Sequence, residues 1–137
     1  MMETKFAETG KFTTLEGQAL AASMAAVAGV GVVATVNEDG TPNAGVFVPM
    51  MLDDSHVVMT LAPNRTRDNI ERTGECVLVY EEVHPEAPEK ADRYRGVRFR
   101  LELLREGEAR RAQALAGWPR VNDYTMAFRV VERMAIG

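Results

Sequence analysis

A chain of 137 residues has the length of one ordinary domain, and 46% hydrophobic residues are enough to build its core. Sixteen basic against twenty acidic residues leave a formal charge of −4, and the basic residues are scattered among acidic ones, which argues against nucleic acid as a partner. The opening Met1-Met2-Glu3-Thr4-Lys5 lacks a basic region followed by an apolar stretch, and no segment approaches the roughly 18 apolar residues that span a bilayer. The expectation is one cytoplasmic domain over residues 1–137 with no membrane partner. The single cysteine, Cys76, cannot close an intramolecular disulfide, and inside its apolar run it reads as a small buried hydrophobe.

Thr13 and Glu16 have the spacing of a capping box, and the Ala-rich run that follows predicts a helix to Val27 with Gly29 as its stop. Residues 31–37 are short and β-branched, and Glu38-Asp39-Gly40-Thr41-Pro42 supplies a hairpin turn. A second strand is expected from about 43 to 52. Asp53-Asp54-Ser55 turns it into a third over 56–61. Asn64 then reads as the N-cap of a short helix to Arg72, with Gly74 as its stop. The run 76–83 suits a strand buried on both faces, and the prolines and charges of 84–90 predict an exposed excursion. Residues 97–103 alternate apolar and charged side chains, which places Val97, Phe99, Leu101 and Leu103 on one buried face. A short helix over 108–116, bounded by Gly107, Gly117 and Pro119, and a closing strand over 125–134 complete the chain. About six strands and two or three short helices predict a mainly β domain, most naturally a small barrel, because closure removes exposed edges.

Arg65 and Arg67 fall in the first turn of the Asn64 helix, where the macrodipole disfavours cations by a few tenths of a kcal/mol up to about 1 kcal/mol. A bound phosphate would offset this, since free amides, the Thr66 hydroxyl and the guanidinium groups converge there. The alternative is that these arginines are solvated or paired with Asp68 and Glu71. His56 and His84 have no carboxylate or cysteine at ligand spacing, so no metal site is expected. No Ser, His and acid set stands out, and Gly29-Val30-Gly31 precedes a strand, the wrong context for a dinucleotide.

The order of helix, Gly-Val-Val-Ala-Thr-Val strand, Glu-Asp-Gly-Thr-Pro turn, two strands and Asn64-Arg65-Thr66-Arg67-Asp68-Asn69-Ile70 resembles the pyridoxamine 5′-phosphate oxidase-like FMN-binding split-barrel superfamily, and its small minimal members above all. The resemblance implies a six-stranded antiparallel, Greek-key split barrel, a homodimer, and FMN at the dimer interface. It carries the phosphate to Arg65 and Thr66, with Asn64 and Asn69 as polar support. It lays the flavin ring along Val46, Phe47, Val48, Pro49, Thr60 and Leu61, with Trp118 and Tyr124 completing the site across the dimer. True pyridoxamine phosphate oxidases commonly show two consecutive basic residues where this chain has Arg65-Thr66, and carry a further C-terminal substrate segment, so oxidation of that vitamin is not expected. The implied function is an FMN-dependent oxidoreductase passing electrons from a reduced donor, such as a reduced nicotinamide, to a small acceptor. The alternatives are a non-catalytic FMN or electron carrier, or a barrel holding a deazaflavin or haem.

Overall fold

The computed structural model describes residues 11–137; the Met1–Lys5 stretch read above lies outside them. The strands are β1 (Thr13–Thr14), β2 (Val30–Val36), β3 (Pro42–Phe47), β4 (Met50–Asp53), β5 (His56–Thr60), β6 (Glu75–Val83), β7 (Tyr94–Leu104) and β8 (Thr125–Met134), with helices α1 (Gly17–Ala25), α2 (Arg65–Thr73) and α3 (Ala109–Leu115). They form one sheet in the order β3-β2-β6-β7-β8-β5-β4, with the two-residue β1 parallel to β7 and all other pairs antiparallel. The outermost strands of this order, β3 and β4, are joined only by Val48 and Pro49, so the sheet curls into a barrel with an open seam there. One strand was expected over 43–52; it is two, because Pro49 has no N–H to donate to a ladder. This split and β1 raise the strand count to eight.

The capping box does not form. Thr13 is in β1, with its hydroxyl donating to Asp92 Oδ1 at 2.7 Å, and Glu16 flanks α1 without a side-chain cap bond, its carboxylate pairing with Arg133 at 3.2 Å. α1 stops at Ala25, before the expected Gly29. Its stop is Val27 at φ 51°, whose N–H reaches the Met24 carbonyl while Ala28 N–H reaches that of Ser23. That is a Schellman turn, which usually carries glycine at the left-handed position. At α2 the expected signals hold: Asn64 Oδ1 accepts Arg67 N–H at 2.8 Å, and Gly74 sits at φ 78°.

The core lies inside the curled sheet. Val97, Phe99, Leu101 and Leu103 are all buried there with Val33, Leu78, Tyr80 and Phe128, and Leu20 and Met24 of α1 join the same cluster. β6 is buried on one face only: Cys76, Leu78 and Tyr80 point inward, whereas Val77 and Val79 are half-buried on the outer face. Burial pushes the Cys76 thiol up to about 12, which leaves it unreactive. A second cluster, Val58, Leu104, Leu115 and Ala127, seats α3 and Trp118 on the opposite face.

Candidate functional site

The N-terminus of α2 is the first element of the site. Asn64 is extended (φ −160°), so its side chain turns back onto the Arg67 amide, and its carbonyl accepts Asp68 N–H at 3.0 Å. The amides of Arg65 and Thr66, ahead of these bonds, have no intrahelical acceptor. The two arginines have different fates. Arg67 donates to the carbonyls of Leu61 (2.6 Å) and Tyr124 (3.3 Å) and pairs with Glu71 at 3.6 Å, so it fastens the helix to the end of β5. Arg65 is exposed and has no hydrogen-bond or ion-pair partner among the described residues.

Beneath this turn lies a buried polar lattice. Thr66 Oγ1 accepts from Asn43 Nδ2 at 3.0 Å, and Asn43 also donates to Thr35. Asn69 donates to Thr35 Oγ1 (3.0 Å) and Asn37 Oδ1 (2.9 Å) and accepts from Arg72 at 2.9 Å, while a second Arg72 nitrogen holds the Val36 carbonyl. The Asn69 amide is therefore committed to binding α2 onto β2 and the turn after it, while Thr66 reaches β3 through Asn43. Thr66 keeps only its hydroxyl proton to give.

A cavity of about 590 Å³ opens above, lined by Asn37, Glu38, Asp39, Asn64, Arg65 and Asn69 among others. Hydrogen bonds from the Thr41 hydroxyl and amide, with Arg65 nearby, hold the Asp39 carboxyl below its ordinary range. Arg65 thus faces fixed negative charge and open space.

The second element is the barrel seam. β3 pairs with β2 alone, leaving its other edge open, and β4 begins opposite Val58, so Met59 and Thr60 extend beyond it. Between these lips is a groove of about 470 Å³, lined by Val46, Phe47, Val48, Met50, Val58, Met59, Thr60, Trp118, Arg120 and Asn122. Gly45 links the two elements: a Cβ there would stand 2.9 Å from Phe47 Cε2 and 3.6 Å from Thr66 Oγ1. The missing Cβ leaves room there for the Phe47 ring, beside the Thr66 hydroxyl.

Of the residues expected to contact a ring, Val46, Phe47, Val48, Thr60 and Trp118 share this groove. Trp118 reaches it within the same chain. Pro49 is buried against Gly31, and Leu61 points into the core with its N–H on the Tyr124 carbonyl, so neither presents its side chain to the groove. Tyr124 is exposed and does not line the groove. Asn43, Gly45 and Arg120 were missed; only Gly45, a glycine inside a strand, carried a sequence signal. Neither histidine lines either cavity: His56 bonds Asp53 and His84 bonds Glu82. Among the described residues no cluster of three or more His, Cys, Asp or Glu could hold a metal, and no helix is long and apolar enough to cross a membrane.

No protein-family model matches the sequence, and none of the curated proteins is similar to it. Solved structures do match. An FMN-binding protein from Syntrophomonas wolfei is 18% identical with a TM-score of 0.57, over 99% of this chain and 89% of its own. A candidate pyridoxamine 5′-phosphate oxidase from Lactobacillus delbrueckii is 20% identical with a TM-score of 0.58, over 93% of this chain and 97% of its own. HutZ, the haem storage protein of Vibrio cholerae, is 14% identical with a TM-score of 0.54, over 85% of this chain and 89% of its own. The chain shares the split-barrel fold of these structures.

Proposed function

We propose that the chain binds FMN and passes electrons from a reduced donor to a small acceptor. One observation carries the reading: an uncommitted guanidinium and two free first-turn amides stand at one end of the open β3 edge, and an apolar, aromatic-lined groove stands at the other. An anion site and an aromatic-lined groove along one strand edge suit a phosphate-bearing planar cofactor. Arg65 and the amides of Arg65 and Thr66 would hold the phosphate. The unpaired backbone groups of β3 would meet the polar edge of the ring, with Phe47 and Trp118 giving it apolar contact and excluding water. FMN itself supplies the redox chemistry; the chain fixes its orientation and surroundings.

A second copy of the chain is the partner in this reading. On the outer face of the sheet Val46, Val32 and Val79 stand opposite one another, as do Ala44, Ala34 and Val77, and Val30, Val36 and Val48 are exposed. Val46 and Val48 belong to both this face and the groove, so a two-fold partner would wall the site while covering the valines.

Titration with FMN and riboflavin tests the reading. FMN should bind much more tightly than riboflavin, to a protein that light scattering shows to be dimeric. Equal affinities would remove the phosphate site, and a monomeric FMN complex would remove the dimer. Saturable oxidation of reduced nicotinamide by the FMN-loaded protein would establish an enzyme; slow, unsaturable oxidation would leave an electron carrier. Haem storage by HutZ supports a competing ligand, but neither histidine lines the α2 cavity or the seam groove. A Soret band with FMN-like affinity on adding haemin would favour haem.

A further inference from the structure

Among the residues lining the seam groove, Arg120 alone is charged. Its guanidinium carbon lies 4.9 Å from the centroid of the Trp118 ring. Trp118 is itself held: its backbone N–H bonds the Leu115 carbonyl at 2.9 Å, and its indole packs on the cluster of Val58, Leu104, Leu115 and Ala127. Stacking on an anchored indole restrains a long side chain that would otherwise wander, and leaves its N–H fork unpaired. Arg120 has no hydrogen-bond or ion-pair partner among the described residues. The rest of the lining is apolar except for neutral Thr60 and Asn122. With a net charge of −4 the protein as a whole repels anions, so an anion entering the groove has to be drawn by local charge.

We infer that Arg120 sets the charge class of the second molecule admitted to the groove, selecting a flat organic donor or acceptor that bears a phosphate or carboxylate. A guanidinium pairs with either oxyanion through two parallel hydrogen bonds, a geometry a neutral analogue cannot use. The role of that molecule as electron donor or acceptor rests on the FMN reading; the charge selection does not.

Trp118 is the sole tryptophan, and its emission overlaps the absorption of a dihydronicotinamide. The probes are reduced nicotinamide mononucleotide, with one phosphate, and reduced nicotinamide riboside, with none. Energy transfer from Trp118 to each is titrated in the full-length protein and in Arg120→Ala and Arg120→Lys, with and without saturating FMN. The wild type should prefer the phosphorylated probe at least about tenfold, the low end of the worth of a charged hydrogen bond. Arg120→Ala should lose that preference, and Arg120→Lys should keep part of it. A full preference in Arg120→Ala would place the anion on another group, such as Arg65, and overturn the assignment, as would a wild type without preference. Failure of the FMN reading would show separately, as absence of flavin binding in all three proteins.

Discussion

Arg65→Ala removes the guanidinium at the α2 N-terminus that the fold leaves without a hydrogen-bond or ion-pair partner. The side chain is exposed, so stability should change by no more than about 0.5 kcal/mol. A charge-assisted hydrogen bond to phosphate is worth about 1.5–3 kcal/mol, so FMN affinity should fall roughly 10- to 150-fold. Riboflavin shares the ring but not the phosphate, and its affinity should stay constant; the FMN-to-riboflavin ratio therefore isolates the phosphate contact. Arg65→Glu should abolish FMN binding, because its carboxylate would join Glu38 and Asp39 on the same cavity wall. Quenching of flavin fluorescence at low and high salt gives the affinities, and a thermal melt checks the fold. An unchanged FMN-to-riboflavin ratio in Arg65→Ala would refute the reasoning.

Three further outcomes follow from the fold. Asn69→Ala leaves Thr35, Asn37 and Arg72 short of partners in a buried lattice and should cost about 2–4 kcal/mol in urea unfolding; a loss under about 1 kcal/mol would mean the lattice is not a structural fastener. Val27→Gly relieves a β-branched residue from a left-handed conformation and should stabilise by about 1 kcal/mol, since the exposed valine gives up little burial; a lower melting temperature would contradict the Schellman assignment. Burial opposes ionisation of Glu82, but the Ser23 and His84 hydrogen bonds and Arg95 outweigh it and hold the carboxyl below its ordinary range. A depressed folded value means that stabilisation is complete above the unfolded value and lost as pH falls through the folded one. Glu82→Gln should flatten the acid limb of the stability curve below about pH 4.3, and parallel melting curves for the two proteins would show that this carboxyl is not linked to folding.

The strands and helices were legible wherever a local rule acts alone. The alternation of 97–103 placed one buried face of β7 correctly, β8 lies where its apolar run put it, and Asn64 and Gly74 bracket α2 because capping is settled within a few residues. The capping box at Thr13 failed for a reason outside its own segment: Asp92, far along the chain, takes the hydroxyl, and Arg133 takes Glu16. β6 read as buried on both faces because its composition shows how apolar the strand is and not whether another surface covers its outer side.

The order of elements was enough to suggest the split-barrel fold, and the fold neighbours bear that out. Sequence spacing left Arg65 and Arg67 as equals, each able to hold a phosphate or a neighbouring acid. Only the tertiary structure separated them: the end of β5 and the 122–124 turn bring two carbonyls to Arg67 and none to Arg65. It likewise drew Thr66 and Asn69 into a lattice with β2 and β3, and brought Trp118 and Arg120 to the lip of a groove that opens at Pro49. Caps, turns and periodicities are read over a few residues, so the sequence determined them by itself; which donor finds which acceptor depends on strands brought together across the whole chain, and that was decided by the closing of the sheet.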